Sequence, residues 1–294
     1  MGALADRIDL RAFAKVNYAL EVRGLRDDGY HEISTILQSV SLADELEIER
    51  TGGGIELLLK PHGVEVGPLE ENTVYLAWKL LREASGRELP VRVRLHKKIP
   101  PGAGLGGGSA DAAAVLAGTN ELFGLGLSHG DLRELGGSIG ADVPFCLTGG
   151  TALGEGIGDV LSPLPAPPDH HLVLVKPSRS AGTRGIYRAY DEHPERGTAT
   201  VEPVIWALRS GGLSALAEAV GNDLEPVTIE LVPEVGVYRQ RMLEEGALGA
   251  AMTGSGTAVY GIFGAVEEAE IASERLEAPF AGLCGPVSRG VERL

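Results

Sequence analysis

The chain has 294 residues, with 26 lysines and arginines against 41 aspartates and glutamates, for a formal net charge of −15. A balance this acidic argues against nucleic acid or an anionic membrane as a partner, and no apolar run approaches membrane-spanning length. Cys146 and Cys284 are the only cysteines, too few for a disulfide framework or zinc cluster, so a reducing cytoplasm is the expected setting. Met1 to Asp6 lacks the basic and apolar segments of a signal peptide, and Asp6 stands where a myristoylation start needs Ser or Thr.

The first 60 residues read as strands. Ala12, Ala14, Val16 and Tyr18 alternate with their neighbours, Glu21-Val22 continues the run, and further strands are expected at 34–40, 45–49 and, after the turn 51–54, at 55–59. Alternation puts Lys15 and Asn17 on one face. A lysine beside a carboxamide among apolar residues suits the orientation of a hydroxyl, whereas Lys15 taken alone reads as an exposed edge-strand charge. Asn72 opens a helix to Arg82 with Val74, Trp78 and Leu81 on one stripe. The strict alternation over 91–99 marks a strand with one solvated face, more typical of an antiparallel sheet.

Five glycines fall between positions 102 and 108 in the run Pro101-Gly102-Ala103-Gly104-Leu105-Gly106-Gly107-Gly108-Ser109, and an alanine-rich helix former follows from Ala110. A loop stripped of Cβ atoms, running into a helix N-terminus, turns its backbone N–H groups toward an anion, most naturally a phosphate. Residues 102–107 satisfy the dinucleotide fingerprint letter for letter. The context fails, because the preceding strand is half-solvated and 128–135 reads as a helix with a Ser128–Asp131 capping box. The Walker A pattern also fails, since Gly108 occupies the lysine position. Ser109 reads as a helix cap, a role compatible with contact to phosphate or its metal.

Asp142, in Gly140-Ala141-Asp142-Val143-Pro144-Phe145, is expected at a helix-to-strand junction, where an Asp commonly serves its own turn. Four prolines within 163–168 mark a connector, dividing the chain into 1–162 and 163–294. A strand at 171–175, helices at 202–209, 213–219 and 228–244, the turn Thr253-Gly254-Ser255-Gly256, a strand at 257–263 and a helix at 266–276 follow. Strands and helices without strict alternation argue α+β in both halves.

Together, Lys15-Val16-Asn17, the glycine loop, the Asp142 segment and the 253–257 turn resemble the GHMP kinase superfamily. That resemblance implies an N-terminal ribosomal S5 domain 2-like domain, a C-terminal ferredoxin-like domain and a loop that holds ATP phosphates without a Walker lysine. Arg26-Asp27-Asp28-Gly29-Tyr30-His31, with the loop variant Gly106-Gly107-Gly108-Ser109-Ala110-Asp111, narrows the resemblance to the branch acting on 4-diphosphocytidyl-2-C-methyl-D-erythritol in non-mevalonate isoprenoid synthesis. Tyr30 and His31 suit a pyrimidine held by stacking and edge hydrogen bonds, and Tyr187 falls where the family places a second aromatic.

By the same resemblance Asp142 is the acid-base residue. Lys15 pairs with it and favours negative charge on the attacking 2-hydroxyl, and Asn17 orients the hydroxyl or the aspartate. Pro101 to Ser109 would wrap the ATP phosphates, Asn72 and Lys97 would lie near the adenine, and Thr183, Gly254 and Ser255 would line the acceptor end. Mg²⁺ is implied with ATP, with Ser109 as its protein contact. The rivals are a homoserine- or mevalonate-type GHMP kinase, neither of which would use Tyr30, His31 and Tyr187, and a ligand-binding module without transfer.

Overall fold

The computed structural model describes residues 6–61, 68–193 and 197–294; the readings at Met1 and Gly2 lie outside the described residues. Two long strands, β1 (Arg7–Leu25) and β2 (His31–Arg50), form an antiparallel hairpin. The two segments expected at 34–40 and 45–49 are thus one strand. They read as separate because the register shifts between Phe13 and Ala14, leaving Ser41 and Leu42 bulged out of the ladder. The bulge is not left unpaired: Ser41 N–H donates to Gly285 O, and Val40 bridges Pro286.

β3 (Ile55–Lys60) and β4 (Val91–His96) extend the sheet, which a C-terminal strand β12 (Val291–Arg293) joins in the order β12-β1-β2-β4-β3. β4 runs antiparallel to β2, as its alternation indicates, and parallel to β3. The strands β5 (Thr151–Glu155) and β6 (Val160–Pro163) attach through β2. α1 (Thr73–Ser85) and α2 (Gly107–Phe123) pack on this sheet, burying Val74, Trp78 and Leu81 from one and Ala110, Ala112–Ala114, Val115 and Leu116 from the other. α3 (His129–Gly137) carries the expected Ser128–Asp131 capping box.

The remainder builds a second sheet from β7 (His171–Lys176), β9 (Gly249–Met252), β10 (Val259–Phe263) and β11 (Phe280–Cys284). Its spatial order is β11-β7-β10-β9, all antiparallel. In order of appearance that is 4-1-3-2, the ferredoxin-like arrangement, and the α+β expectation holds in both halves. Its helices are α5 (Thr183–Glu192), α6 (Glu202–Ser210), α7 (Leu213–Ala219), α8 (Glu225–Leu231), α9 (Glu234–Glu244) and α10 (Val266–Arg275).

The single helix expected over 228–244 is two. Val232 takes extended backbone (φ −137°, ψ 81°) ahead of Pro233, which caps α9, as steric clash with a following proline ring demands. The connector at 163–168 follows β6, and the chain then returns twice to the first sheet. β8 (Gly221–Asn222) pairs parallel to β1, and β12 (Val291–Arg293) antiparallel to it. No described helix is long and apolar enough to cross a membrane.

Candidate active site

β1 pairs with β2 at Lys15, and its other edge there is covered by the glycine loop through the Lys15 N–H to Leu105 O bond, so Lys15 is no edge-strand charge; it is 3% exposed. Its Nζ donates to Asn17 Oδ1 at 2.8 Å and lies 3.3 Å from Asp142 Oδ2. The shared face read from alternation is therefore what brings lysine and carboxamide together. Asn17 Oδ1 also accepts the Thr253 hydroxyl at 3.1 Å, Thr253 Oγ1 accepts the Asn17 N–H at 3.0 Å, and Asn17 Nδ2 donates to Thr35 Oγ1 at 2.8 Å. Thr253 comes from the 253–256 turn of the second half, so both halves of the chain fix the position of one ammonium. Thr35 escaped sequence reasoning, and Thr253 was read only as part of its turn, since no local signal marks its contact with Asn17 across 236 residues.

Asp142 sits at a helix-to-helix junction rather than the expected helix-to-strand one, as N-cap of the short α4 (Val143–Thr148). The apolar run 143–147 suits a buried helix as well as a strand, and Pro144 in the first turn is compatible with a helix. The Asp142 side chain makes no capping bond. It is one third exposed and spends its charge on Lys15, leaving the remaining acceptor capacity toward the cavity.

The glycine loop faces the same space. Lys15 N–H donates to Leu105 O, Ala103 and Leu105 are buried, and this pins alternate residues while the glycines between stay at the cavity wall. Gly104 and Gly106 have φ of +76° and +71°, a region open chiefly to glycine. A Cβ on Gly104 would lie 2.2 Å from Thr253 O, so only glycine allows the loop to touch the opposing turn. α2 begins at Gly107, three residues earlier than expected, with Gly106 as a left-handed N-cap. The N–H groups of Gly107, Gly108 and Ser109 are thus the free first-turn donors of a long helix, adding its dipole to the loop's amides.

Lys97 and Asn72 line the cavity but are occupied by protein partners. Lys97 Nζ lies 2.5 Å from Asp44 Oδ2 and 2.7 Å from Asp111 Oδ2, and all three side chains are buried. Burial opposes the ammonium charge, yet Asp111 and Asp44 outweigh it and raise the lysine above its usual pKa. Asn72 Oδ1 accepts from Val74 N at 2.9 Å, capping α1. Asp44 and Asp111 were not singled out in the sequence.

At the other end of the cavity, Tyr30 is 62% exposed at the hairpin tip. The His31 ring stacks on Tyr187 with centroids 4.7 Å apart and planes at 28°. Burial first, then nearby Asp142 and Tyr190, push the Tyr187 hydroxyl above its usual pKa. Thr183 Oγ1 and Ser255 Oγ lie 2.8 Å apart beside Gly254. Tyr30, His31, Thr183, Tyr187, Gly254 and Ser255 border one cavity of about 1180 Å³.

Cys146 and Cys284 are buried free thiols, both pushed up by burial, Cys284 to about 12, which makes them unreactive. Among the described residues no group of three or more His, Cys, Asp or Glu side chains could hold a metal ion. Ser109 borders the cavity at the first turn of α2. That donor set fits a cation carried mainly by phosphates and water rather than a protein-held ion.

A glycine-rich loop running into a helix N-terminus and a Lys–Asp pair, on an S5-like domain joined to a ferredoxin-like one, fit a small-molecule phosphotransferase. Family comparison agrees: "GHMP kinases N terminal domain" matches residues 72–150 and "GHMP kinases C terminal" matches 204–282. The chain belongs to the GHMP kinases, which use ATP as phosphoryl donor.

It is similar to the 4-diphosphocytidyl-2-C-methyl-D-erythritol kinase of Moorella thermoacetica, 46% identical over 92% of this chain and 95% of that one. It is likewise similar to the protein of that name from a Synechococcus species, 44% identical over 91% and 88%. A crystal structure of 4-(cytidine 5'-diphospho)-2C-methyl-D-erythritol kinase superposes with a TM-score of 0.79 at 38% identity, covering 95% of this chain and 99% of the other. Homoserine kinase from Cytophaga hutchinsonii superposes equally well at 21% identity, a likeness of fold.

Proposed function

We propose that the chain transfers the γ-phosphoryl group of ATP to the 2-hydroxyl of 4-diphosphocytidyl-2-C-methyl-D-erythritol, giving the 2-phosphate and ADP for isoprenoid precursor synthesis in the cytoplasm. The observation that carries this reading is the single cavity bordered at one end by the glycine loop, at its middle by Lys15 and Asp142, and at the other end by Tyr30, His31 and Tyr187. Relatives at 40–46% identity bearing the kinase's name support it.

Phosphoryl transfer needs in-line positioning and neutralisation of charge more than it needs covalent chemistry. The amides of Gly106 to Ser109 and the α2 dipole would hold the phosphates. Asp142 would accept the proton of the acceptor hydroxyl, and the Lys15 ammonium would stabilise negative charge on the attacking oxygen. Asn17, which holds Lys15 by hydrogen bond and lines the cavity, would orient the acceptor hydroxyl or the aspartate. Ser109 would be the protein contact of Mg²⁺, which would supply further charge neutralisation on the phosphates when bound. Units 1–162 and 163–294 each contribute a wall of the cleft.

Steady-state ADP release with three acceptors tests the reading. Turnover with the cytidine-diphosphate-linked acceptor, and none with homoserine or mevalonate, is expected. The reverse pattern would keep the kinase and discard the acceptor, and ATP binding without turnover on any acceptor would favour a binding module.

A further inference from the structure

The 253–256 turn meets the site at several places. Thr253 holds Asn17, its carbonyl closes on Gly104, and Gly254 and Ser255 border the cavity. The turn follows β9, the edge strand of the second sheet. Outward-facing peptide groups of an edge strand have no ladder partner, so the groups that aim this turn must be held from outside the sheet.

The segment 221–225 holds them. Asn222 Nδ2 donates to Met252 O at 3.0 Å and to Gly254 O at 2.8 Å, while its Oδ1 accepts the Leu224 N–H at 2.9 Å. Glu225 Oε2 accepts the Met252 N–H at 2.7 Å, and its other oxygen lies 3.1 Å from Arg239 Nε. Carbonyls on one side and an N–H on the other fix which way the Asn222 carboxamide points, and the residue is 6% exposed. The segment is in turn tied to the first sheet. β8 runs beside Ala19 and Leu20 of β1, Asp223 N–H donates to Leu20 O, and Asp223 Oδ2 accepts the Val22 N–H at 2.8 Å. Asn222 therefore stands between the strand that carries Lys15 and Asn17 and the turn that steadies them.

We propose that Asn222 is a positioning residue: by donating both amide hydrogens to the carbonyls on either side of Thr253, it aims the 253–256 turn at Asn17 and at the acceptor. Asn222 does not itself border the cavity, so it acts only through the turn. The inference rests on the kinase reading above for its rate measurement, and on the fold alone for its structural one. A carboxylate at this position would keep the shape and the bond from Leu224 N–H. It would lose both donors and set an oxygen against two carbonyl oxygens. Thr253 would then shift, and with it the Asn17 that holds Lys15. Misplacement by about 1 Å can cost about 10²-fold in rate even when the substituted residue is far from the chemistry.

Asn222→Asp tests this on the full chain, with Asn120→Asp as its match. Asn120 bonds Leu127 through both its amide nitrogen and its oxygen near the far end of α2, so the same substitution removes a donor away from the cavity. With ATP, Mg²⁺ and 4-diphosphocytidyl-2-C-methyl-D-erythritol, kcat should fall about tenfold or more in Asn222→Asp and less than about twofold in Asn120→Asp. The Kd for ATP, measured by calorimetry, should stay within about threefold of native in both. Amide exchange followed by NMR supplies the structural readout. The Asn17 N–H, bonded to Thr253 Oγ1, and the Gly256 N–H, bonded to Thr253 O, should exchange at least about tenfold faster in Asn222→Asp, beyond any change in the α2 amides of the same sample.

Equal losses of kcat in the two variants, or Asn17 and Gly256 amides that change only as the α2 amides do, would overturn the inference. A native protein without turnover on this acceptor would discard the acceptor reading and leave the exchange comparison to decide the inference alone. Should Asn222→Asp fail to fold, Asn222→Ser, which brings no charge and leaves a single donor, is held to the same criteria.

Discussion

Lys15 Nζ and Asp142 Oδ2 lie 3.3 Å apart, the lysine side chain 4% exposed and the aspartate 34%. The pair is asymmetric: its cation is fixed by the core and its anion opens on the cavity. Asn17, Thr35 and Thr253 form the chain of hydrogen bonds that holds the cation. An ammonium desolvated to this degree exerts its field through protein rather than water, where each charge contact is worth more. The geometry suits a group that must act on an oxygen developing charge at the aspartate's side.

Replacing Asp142 by Asn keeps the volume and removes the base. The expected result is a kcat lower by about 10²–10⁴-fold, with the affinity for ATP, measured by calorimetry, changed little. A parallel loss of ATP binding would mean that the residue serves the fold of the loop instead.

Thr253→Val leaves the Asn17 N–H without its buried partner and frees one side of Asn17 Oδ1. An unsatisfied buried donor costs about 1–3 kcal/mol, so denaturant unfolding should shift by that amount and kcat should fall as Lys15 loosens. Thr253→Ser retains the hydroxyl and should recover most of both. Equal effects of the two substitutions would place the role of Thr253 in packing.

Gly104→Ala places a methyl group 2.2 Å from Thr253 O at a left-handed φ. A backbone strain of about 1–3 kcal/mol and a loop displaced from the opposing turn are expected, read as a lowered unfolding midpoint and ATP binding weakened more than about tenfold. Gly54→Ala is the control. Its φ is also positive, at +61°, but nothing lies within 4 Å of the added Cβ, so ATP binding should be retained.

His170 gives the chain an acid-sensitive joint. Its Nδ1–H donates to Pro168 O at 2.7 Å and its Nε2 accepts the Tyr18 hydroxyl at 3.0 Å, the neutral form filling both contacts. Burial lowers its pKa below the ordinary imidazole value. The unfolded chain, with His at about 6.5, then binds the proton more readily, and the stability this residue supplies is lost as pH falls below about 6.5 toward the folded value. Asp223 and Glu225, raised by burial, act with the opposite sign, so the comparison must be differential. Between about pH 7 and 5, His170→Gln, which can make both contacts without titrating, should show a shallower fall in Tm than the native protein.

Local patterns made much of this site legible. Period-two alternation paired Lys15 with Asn17, and glycine spacing marked the phosphate loop, because both depend on the backbone of a few consecutive residues. Ser128 and Asp131 declared their helix start for the same reason. Contacts across sequence were not legible: Asp44 meets Lys97 from 53 residues away and Asp191 meets His31 from 160, and nothing local distinguishes such an aspartate from a solvated one. Short elements were lost too. The two-residue β8 and six-residue α4 are too brief for a period to show, which is why Asp142 was expected beside a strand.

The most direct test is phosphorus NMR of a reaction containing the protein, ATP, Mg²⁺ and 4-diphosphocytidyl-2-C-methyl-D-erythritol, run beside the Asp142→Asn variant. A new phosphomonoester signal on the acceptor, growing with ADP in the native protein and slowed by orders of magnitude in the variant, is the predicted result. Equal product formation in both would remove Asp142 from the chemistry. ADP formation with no phosphorus appearing on the acceptor would contradict the proposed reaction itself.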